Sequence, residues 1–320
     1  MVIELLETAA KTAPEISVIV PTMNEEQVIE EVIEGCKKSL QGESYEIIVV
    51  DNSTDNTSSV ALAAGATVIR QVGVGVGDAL AQGLERARGE IIVFLDGDGT
   101  YPTDSITDVI EPLRTGEADV VNTNRFSSME HGAMLRLNKV GNRFLTDVCN
   151  LFFRTRIRDS QSGMKALMAN AFRSMALWEK GFAICTEILA EASRLKFRIK
   201  ELDIHYAKRK GVTKLNPMSD GLSILCASLR LLRGHNPLML FGVSGMILFA
   251  ASFIVSIPVI EQYLVHGTFG FVGRALVSVV MWLMGMLMFF AGLILDTTVY
   301  SIRRLESKLA RRARNGPRLS

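Results

Sequence analysis

Ile91-Ile-Val-Phe-Leu-Asp-Gly-Asp-Gly-Thr-Tyr-Pro102 is the stretch from which the fold of this chain can be interpreted. Its first five residues are apolar and predict a strand that is buried on both faces. Asp96 and Asp98 follow where glycines and Pro102 turn the chain and end the strand. Ligands bind at the carboxyl ends of strands in open α/β sheets, and two carboxylates one residue apart suit a hard divalent cation that bridges to phosphate. A solvated acidic turn is the alternative, and an isolated Asp-Gly-Asp does not distinguish the two.

Apolar runs and helical patterns alternate along the first half of the chain. Most of the predicted strands are short and β-branched, and they are followed by segments with apolar residues at helical spacing. This alternation predicts an α/β fold with a doubly wound, Rossmann-like, mostly parallel sheet. The predicted strands are Ser17–Val20, Glu46–Val50, Thr67–Ile69, Ile91–Leu95 and Val120–Val121; the predicted helices are Val28–Ile33, with Asn24 as its cap, Val60–Ala64, Asp78–Arg88, Leu135–Phe153 and Ala183–Arg194.

A glycine-rich loop, Gly73-Val-Gly-Val-Gly77, precedes one of these helices. Asp78 stands where a dinucleotide-binding loop has its third glycine, and the chain contains no Gly-Lys-Ser/Thr. The loop therefore predicts a close approach of backbone to a ligand or to a neighbouring turn.

Charge is distributed unevenly along the 320 residues. The whole chain has a net charge of +1, but residues 1–206 carry −9 and residues 207–320 carry +10. The basic part also holds the most apolar segments, which favours an anionic membrane surface over nucleic acid as a partner. The four cysteines show no Cys-x-x-Cys pairing, so neither a zinc site nor a disulfide framework is indicated. Residues 1–14 are interpreted as an N-terminal extension without the pattern of a signal peptide.

Two segments of the basic part are long enough to cross a bilayer of about 30 Å. Residues 238–260 and 275–295 contain 23 and 21 residues without a charge. The positive-inside rule predicts a hairpin with the first domain and both termini on the cytoplasmic side, and residues 297–320 as a basic tail. Residues 216–236 are interpreted as a juxtamembrane helix, lying at the interface or packed on the soluble domain. The flanking cations are Lys208, Arg209, Lys210, Lys214, Arg230 and Arg233 before the hairpin, and Arg303, Arg304, Lys308, Arg311, Arg312, Arg314 and Arg318 after it.

Five motifs stand in order within residues 15–215: Val18–Glu25, Val50–Thr57, Asp96-Gly-Asp98, Asp159-Ser-Gln-Ser-Gly-Met-Lys165 and Arg209-Lys-Gly-Val-Thr-Lys-Leu215. Together they make this part of the chain resemble the GT-A glycosyltransferases of family 2, in particular the polyprenyl-phosphate (dolichol-phosphate) sugar synthases. The Asp-Gly-Asp at 96–98 stands where that family has its Asp-x-Asp metal site. The chain departs from the family pattern at Thr100, where the synthases often have Gln, and at Gln71-Val72 before the glycine loop. The Gln-x-x-Arg-Trp signature of processive synthases is absent, which favours a single transfer.

The resemblance implies transfer of a sugar, with inversion, from a nucleotide-sugar to a polyprenyl or dolichyl phosphate. The implied cofactor is Mg²⁺ or Mn²⁺, and a UDP-sugar (glucose or N-acetylglucosamine) is favoured over GDP-mannose. A glycosyltransferase acting on a lipid-linked oligosaccharide and a catalytically silent membrane scaffold are the alternatives. The implied site residues are Asp96 and Asp98 for the metal; Pro21, Asn24, Glu25, Asp51 and Asp96 for the nucleotide; Arg125, Arg136, Arg209 and Lys214 for the acceptor phosphate; and Asp98, Arg125 and Arg136 for catalysis.

Overall fold

The structure, a computed structural model, describes residues 13–209, 226, 230, 237–268 and 271–314, with side chains as far as Ile302. The chain divides into two compact units, Met1–Ser228 and Leu229–Ser320.

The first unit is built on one seven-stranded sheet with the order β3-β2-β1-β4-β6-β5-β7. β6 runs antiparallel to β4 and β5, and the remaining neighbours are parallel, so the predicted mostly parallel sheet is confirmed. The strands are β1 (Ile16–Thr22), β2 (Tyr45–Asp51), β3 (Thr67–Arg70), β4 (Ile91–Phe94), β5 (Val120–Met129), β6 (Lys165–Met168) and β7 (Ile199–Tyr206).

Helices cover both faces of this sheet, which explains the apolar character of its central strands. Residues 91–95 are all buried, as predicted: Val93 belongs to the core on one face, and Ile92 and Phe94 belong to the core on the other. The helices of this unit are α1 (Ile29–Ser39), α2 (Thr57–Ala63), α3 (Val76–Arg86), α4 (Ile106–Arg114), α5 (Arg136–Phe153), α6 (Ala169–Arg173) and α7 (Ile184–Arg194).

The sequence prediction for the start of α1 is wrong. Asn24 was expected to cap the helix, but α1 begins at Ile29 with Val28 before it. Asn24 instead has a left-handed backbone with φ of 52°, and its Oδ1 accepts the Thr54 N–H at 2.8 Å. It therefore ties the loop after β1 to the loop after β2.

The second unit contains two long apolar helices, α8 (Pro237–His266) and α9 (Val272–Arg314), which include both predicted membrane spans. Each is long and apolar enough to cross a membrane, and only 17% of its most apolar window is buried. The core helix of a soluble protein would be mostly buried. Both helices are therefore candidate membrane spans.

α8 and α9 approach each other closely at two glycines, Gly245 and Gly285. A Cβ at Gly285 would lie 2.8 Å from the Gly245 carbonyl oxygen, and one at Gly245 would lie 2.6 Å from the Gly285 oxygen. Small residues allow such backbone contact between apolar helices.

Gly285→Leu is expected to destabilise the hairpin by about 1–3 kcal/mol through overpacking. Thermal unfolding in detergent measures this, with Gly273→Leu as the control, because a Cβ at Gly273 meets nothing within 4 Å. Equal unfolding temperatures for the two variants would contradict the prediction.

Candidate active site

Asp96 and Asp98 follow β4 at the carboxyl edge of the sheet. Asp98 Oδ1 accepts hydrogen bonds from the Thr100 N–H at 3.1 Å and from the Thr100 hydroxyl at 2.6 Å. This turn leaves Oδ2 facing Arg209, whose Nη1 is 3.3 Å away. One oxygen of Asp98 is thus used to shape the turn, and the other faces a cation.

Asp96 is held in a confined position next to the loop at 159–163. A Cβ at Gly163 would lie 2.8 Å from the Asp96 Cγ, so glycine is required there for space. The Gly163 N–H donates to the Tyr101 hydroxyl at 2.6 Å, which fixes the loop against the turn after β4. Burial, followed by the charge of Asp98, raises the pKa of Asp96 to about 7, while the charges of Arg125 and Arg209 oppose the shift.

Arg209 joins the loop after β1 to the acidic pair. Its guanidinium forms ion pairs with both Glu25 and Asp98. Among the residues that the structure describes, its Nε has no hydrogen-bond partner although it is buried. Arg209 was assigned to the acceptor phosphate by resemblance; in the structure its charge neutralises two carboxylates of the site.

The sequence-predicted nucleotide residues Pro21, Asn24, Glu25 and Asp51 lie at the ends of β1 and β2. Asp51 is fully buried, and its Oδ1 accepts the Thr22 hydroxyl at 2.7 Å and the Ser53 N–H at 3.2 Å. The side chain of Asp51 is therefore occupied in holding the two loops together, and any contact with a nucleotide would come through the loops it positions.

Arg125 is fixed by a two-pronged ion pair with Asp159. Nε lies 2.6 Å from Oδ2 and Nη2 lies 2.8 Å from Oδ1, while the Arg125 N–H also donates to Oδ2 at 3.1 Å. The guanidinium lies 5.4 Å from the centre of the Tyr206 ring. Asp159 has no exposed surface, and only 8% of the Arg125 side chain is exposed. Such a pair holds a positive charge rigidly beside Asp96.

Two residues that the resemblance assigned to the acceptor phosphate, Arg136 and Lys214, are not among the described residues around Asp96 and Asp98. Arg136 is the first residue of α5 and its side chain is exposed. Lys214, like most of the predicted juxtamembrane helix at 216–236, lies outside the described residues.

The glycine loop contacts a neighbouring turn, which confirms one of the two alternatives. The Gly77 N–H donates to the Lys180 carbonyl oxygen at 2.7 Å, and a Cβ at Gly77 would overlap the backbone of Glu179. Glu187 fixes that turn, because its carboxylate accepts the backbone N–H of Trp178 at 3.0 Å and of Glu179 at 2.9 Å. Burial raises the pKa of Glu187. The sequence showed Glu187 only as a helix residue.

Lys165 was also not assigned a role, although it ends one of the quoted motifs. It is 1% exposed, its Nζ donates to Asn122 Oδ1, and burial lowers its pKa. Asn122 in turn donates to the Asp159 carbonyl oxygen at 2.9 Å. Lys165 therefore supports the loop that carries the partner of Arg125.

A mostly parallel sheet that ends in an Asp-x-Asp turn beside the buried Arg125 and the partly buried Arg209 is typical of glycosyltransferases of the GT-A fold. A family model described as glycosyl transferase family 2 matches residues 17–176, half of the chain. The chain belongs to this family, and it is a glycosyltransferase.

Similar proteins include three from Haloferax volcanii. The low-salt glycan biosynthesis hexosyltransferase Agl6 is 34% identical over 68% of this chain, which spans 54% of the length of Agl6. The glycosyltransferase AglJ is 31% identical over 80% of this chain and 84% of its own length. A dolichyl-phosphate hexose transferase is 29% identical over 67% of this chain and 92% of its own length.

A solved structure with the same fold is glucosyl-3-phosphoglycerate synthase from Mycobacterium tuberculosis in complex with Mn²⁺, UDP and phosphoglyceric acid. It superposes with a TM-score of 0.57 at 26% identity, covering 70% of this chain and 80% of that protein.

Proposed function

We propose that this chain is a membrane-bound enzyme that transfers one sugar from a nucleotide diphosphate to a polyprenyl or dolichyl phosphate. The observation that carries the proposal is the acidic pair Asp96 and Asp98 lying within electrostatic reach of Arg125 and Arg209. Transfer of a sugar from a diphosphate to a phosphate needs a cation that neutralises the departing diphosphate. It also needs positive side chains that bind the attacking phosphate. The relatives named as dolichyl-phosphate enzymes support the same acceptor class.

The reaction forms one bond and breaks one. An oxygen of the acceptor phosphate attacks the anomeric carbon, the bond from that carbon to the diphosphate oxygen breaks, and the nucleoside diphosphate leaves with the electron pair. Attack from the opposite face inverts the configuration. The second pKa of a phosphate monoester is about 6, so the nucleophile arrives deprotonated and needs no strong general base. His205, on β7 with an exposed side chain near Ser128 and Glu130, has no role in this step.

The donor set fits a divalent cation held partly by the substrate. Among the described residues no third His, Cys, Asp or Glu joins the two aspartates in a metal-binding group. Asp98, with Asp96 beside it, would hold Mg²⁺ or Mn²⁺, and diphosphate oxygens and water would complete the oxygen ligands that such ions prefer. The cation would neutralise the charge that builds on the leaving diphosphate.

Arg209 and a cation would compete for Asp98 Oδ2 in the protein without substrate. Arg209→Gln is therefore expected to tighten the binding of Mn²⁺ alone by several-fold, about 1 kcal/mol, since one competing ion pair is removed. Electron paramagnetic resonance of free Mn²⁺ measures this, with Arg88→Gln as the control, because Arg88 pairs with Glu46 at the surface. Unchanged or weaker Mn²⁺ binding in Arg209→Gln would contradict the competition. Transfer activity of this variant is expected to fall, because we assign Arg209 to the acceptor phosphate together with Arg125, Arg136 and Lys214.

We propose a UDP-sugar as the donor, with glucose or N-acetylglucosamine favoured and GDP-mannose as the competitor. Thr100, which stands where the synthases often have Gln, is 2% exposed, and its hydroxyl donates to Asp98 Oδ1 at 2.6 Å. This departure from the synthase pattern, together with Gln71-Val72 before the glycine loop, favours a UDP-sugar. The similar solved structure contains UDP with Mn²⁺. Pro21, Asn24, Glu25, Asp51 and Asp96 form or support the nucleotide site in this proposal.

We further propose that α8 and α9 anchor the enzyme as a hairpin with the catalytic domain and both termini on the cytoplasmic side. The excess of Lys and Arg flanking the two spans supports this orientation. Protease protection of tags at either terminus, in sealed vesicles of known orientation, tests it.

The deciding experiment incubates membranes that contain the full chain with polyprenyl phosphate, Mg²⁺ or Mn²⁺ and one labelled nucleotide-sugar at a time. Labelled lipid with a UDP-sugar supports the proposal, and labelled lipid with GDP-mannose alone would change the donor. Transfer that persists with dephosphorylated lipid, or only onto a lipid-linked oligosaccharide, would overturn the acceptor. No product with any donor would favour a silent scaffold.

A further inference from the structure

Helix α5 exposes an apolar face where a surface helix ordinarily presents polar side chains. Leu137, Val140, Phe144 and Leu151 are 61%, 68%, 56% and 60% exposed, and their spacing puts them on one side of the helix. We call these four side chains the outer face. The opposite side packs into the protein through Leu145, Thr146, Cys149 and Phe153, which are buried. The helix is thus docked by one side and leaves an uncovered apolar stripe about 20 Å long on the other.

Cations border the outer face. Arg136 and Arg143 are exposed, Lys139 is half-exposed, and Arg154 follows directly after the helix with an exposed side chain. In the part of the chain that the structure describes, none of these four forms an ion pair with a carboxylate. Asp147 is the acidic residue of α5; it is exposed, and its spacing from Phe144 and Leu151 puts it at the edge of the outer face, on the side of Arg143. An apolar stripe with a positive border is the combination that binds at the surface of an anionic bilayer.

We propose that the outer face of α5 docks on an anionic lipid bilayer, with Leu137, Val140, Phe144 and Leu151 at the boundary of headgroups and acyl chains. The cations would lie among the lipid phosphates, where each gains from the negative surface potential. The chain supplies a reason for the catalytic unit to meet a bilayer, since it carries two helices that could cross one. A second copy of the chain is the less suitable occupant, because a two-fold contact through this face would bring two sets of cations together.

Docking through this face would also give Arg136 a place in the reaction. Arg136 begins α5, so docking brings its guanidinium to the level at which the phosphate of a membrane lipid emerges. This part of the inference rests on the proposed polyprenyl-phosphate acceptor. The docking itself does not, because it requires only a lipid surface and no sugar donor. The sequence predicts a juxtamembrane helix at residues 216–236, either at the interface or packed on the soluble domain, and α5 is a different segment.

Spin labels on the full chain in nanodiscs test the docking directly. Labels are placed at Val140→Cys and at Phe144→Cys, with Leu62→Cys on α2 as the matched control, since Leu62 is 59% exposed on another helix. Cys185 and Cys226 are replaced by Ser, whereas Cys36 and Cys149 stay because burial raises their pKa to about 12 and about 11 and keeps them unreactive. Nanodiscs contain phosphatidylcholine alone or with about one third phosphatidylglycerol, an anionic mixture.

The expected result is that labels at 140 and 144 become accessible to oxygen and protected from a water-soluble nickel complex in anionic nanodiscs, whereas the label at 62 stays accessible to nickel. Lys139→Gln with Arg143→Gln should shift the 140 label back toward the control. Nickel accessibility at 140 and 144 equal to that at 62 would overturn the docking, and so would a short distance between 144 labels of two chains, which would identify a second copy as the occupant. Sugar transfer is measured separately on the unlabelled enzyme, so failure of the proposed function and failure of the docking are distinguishable.

Discussion

Asp98→Asn is expected to reduce sugar transfer by about 10²–10³-fold or more while the protein stays folded. Asparagine keeps an oxygen that can accept the Thr100 N–H and hydroxyl, so the turn after β4 is retained. What the variant loses is the negative charge at Oδ2, now 3.3 Å from Arg209 and, in our proposal, the ligand of the cation. The defect should therefore lie in turnover and in Mn²⁺ binding, and not in the unfolding temperature.

Asp104→Asn is the control, because Asp104 is an exposed carboxylate in the turn that follows the same stretch. Transfer of labelled sugar to polyprenyl phosphate, at saturating donor and several Mn²⁺ concentrations, measures the effect. If Asp98→Asn keeps half or more of the wild-type rate, the metal-holding role of Asp98 is wrong. A rate lost equally by Asp104→Asn would point to a general effect of charge on the fold.

The parallel part of the sheet could be predicted because burial on both faces leaves a local signal. β1, β2 and β4 are apolar runs that end at polar turns, and such runs can be recognised without knowing their partners. β7 gave no such signal, since its sequence Ile-Lys-Glu-Leu-Asp-Ile-His-Tyr belongs to a half-exposed edge strand. β6 has four residues, one of them the buried Lys165, and its antiparallel place between β4 and β5 depends on pairing that is not local. These two strands were missed for that reason.

In the candidate site too, features with a local sequence signal could be predicted, and features that depend on distant residues could not. Asp96 and Asp98 were found because a strand end and its turn are adjacent in sequence. Arg125 was named, but its partner is 34 positions away, and nothing in the sequence indicates that the two side chains meet. Arg209 is 184 positions from Glu25, so its ion pairs with the acidic residues could not be predicted either. The sequence therefore identified the acidic and basic residue types that the chemistry needs. Which of these charges form ion pairs with one another became visible only in the folded structure.

Asp159→Asn is expected to destabilise the catalytic unit by about 3–5 kcal/mol, because it leaves the Arg125 guanidinium buried without its counter-charge. Both members of the pair are shielded from water, with 8% and 0% of their side chains exposed. Thermal unfolding of the full chain in detergent measures this, and a loss of this size corresponds to roughly 10 °C for a unit of this length. Asp119→Asn is the matched control, since Asp119 makes a comparable two-pronged pair with Arg198 at the surface. Asp119→Asn is expected to lower the free energy of unfolding by only about 0–1 kcal/mol, because its ion pair is at the surface.

A double substitution separates the structural role of Arg125 from its proposed catalytic one. Replacing a buried ion pair by apolar residues of similar volume often restores stability, so Arg125→Met with Asp159→Leu is expected to unfold closer to the wild type than Asp159→Asn does. Transfer should stay lost, because the charge that would hold the acceptor phosphate is gone. If the double variant is stable and active, Arg125 only supports the fold and its catalytic role is wrong. If it is stable and inactive, the buried guanidinium is retained for its charge, since an apolar pair would have served the fold as well.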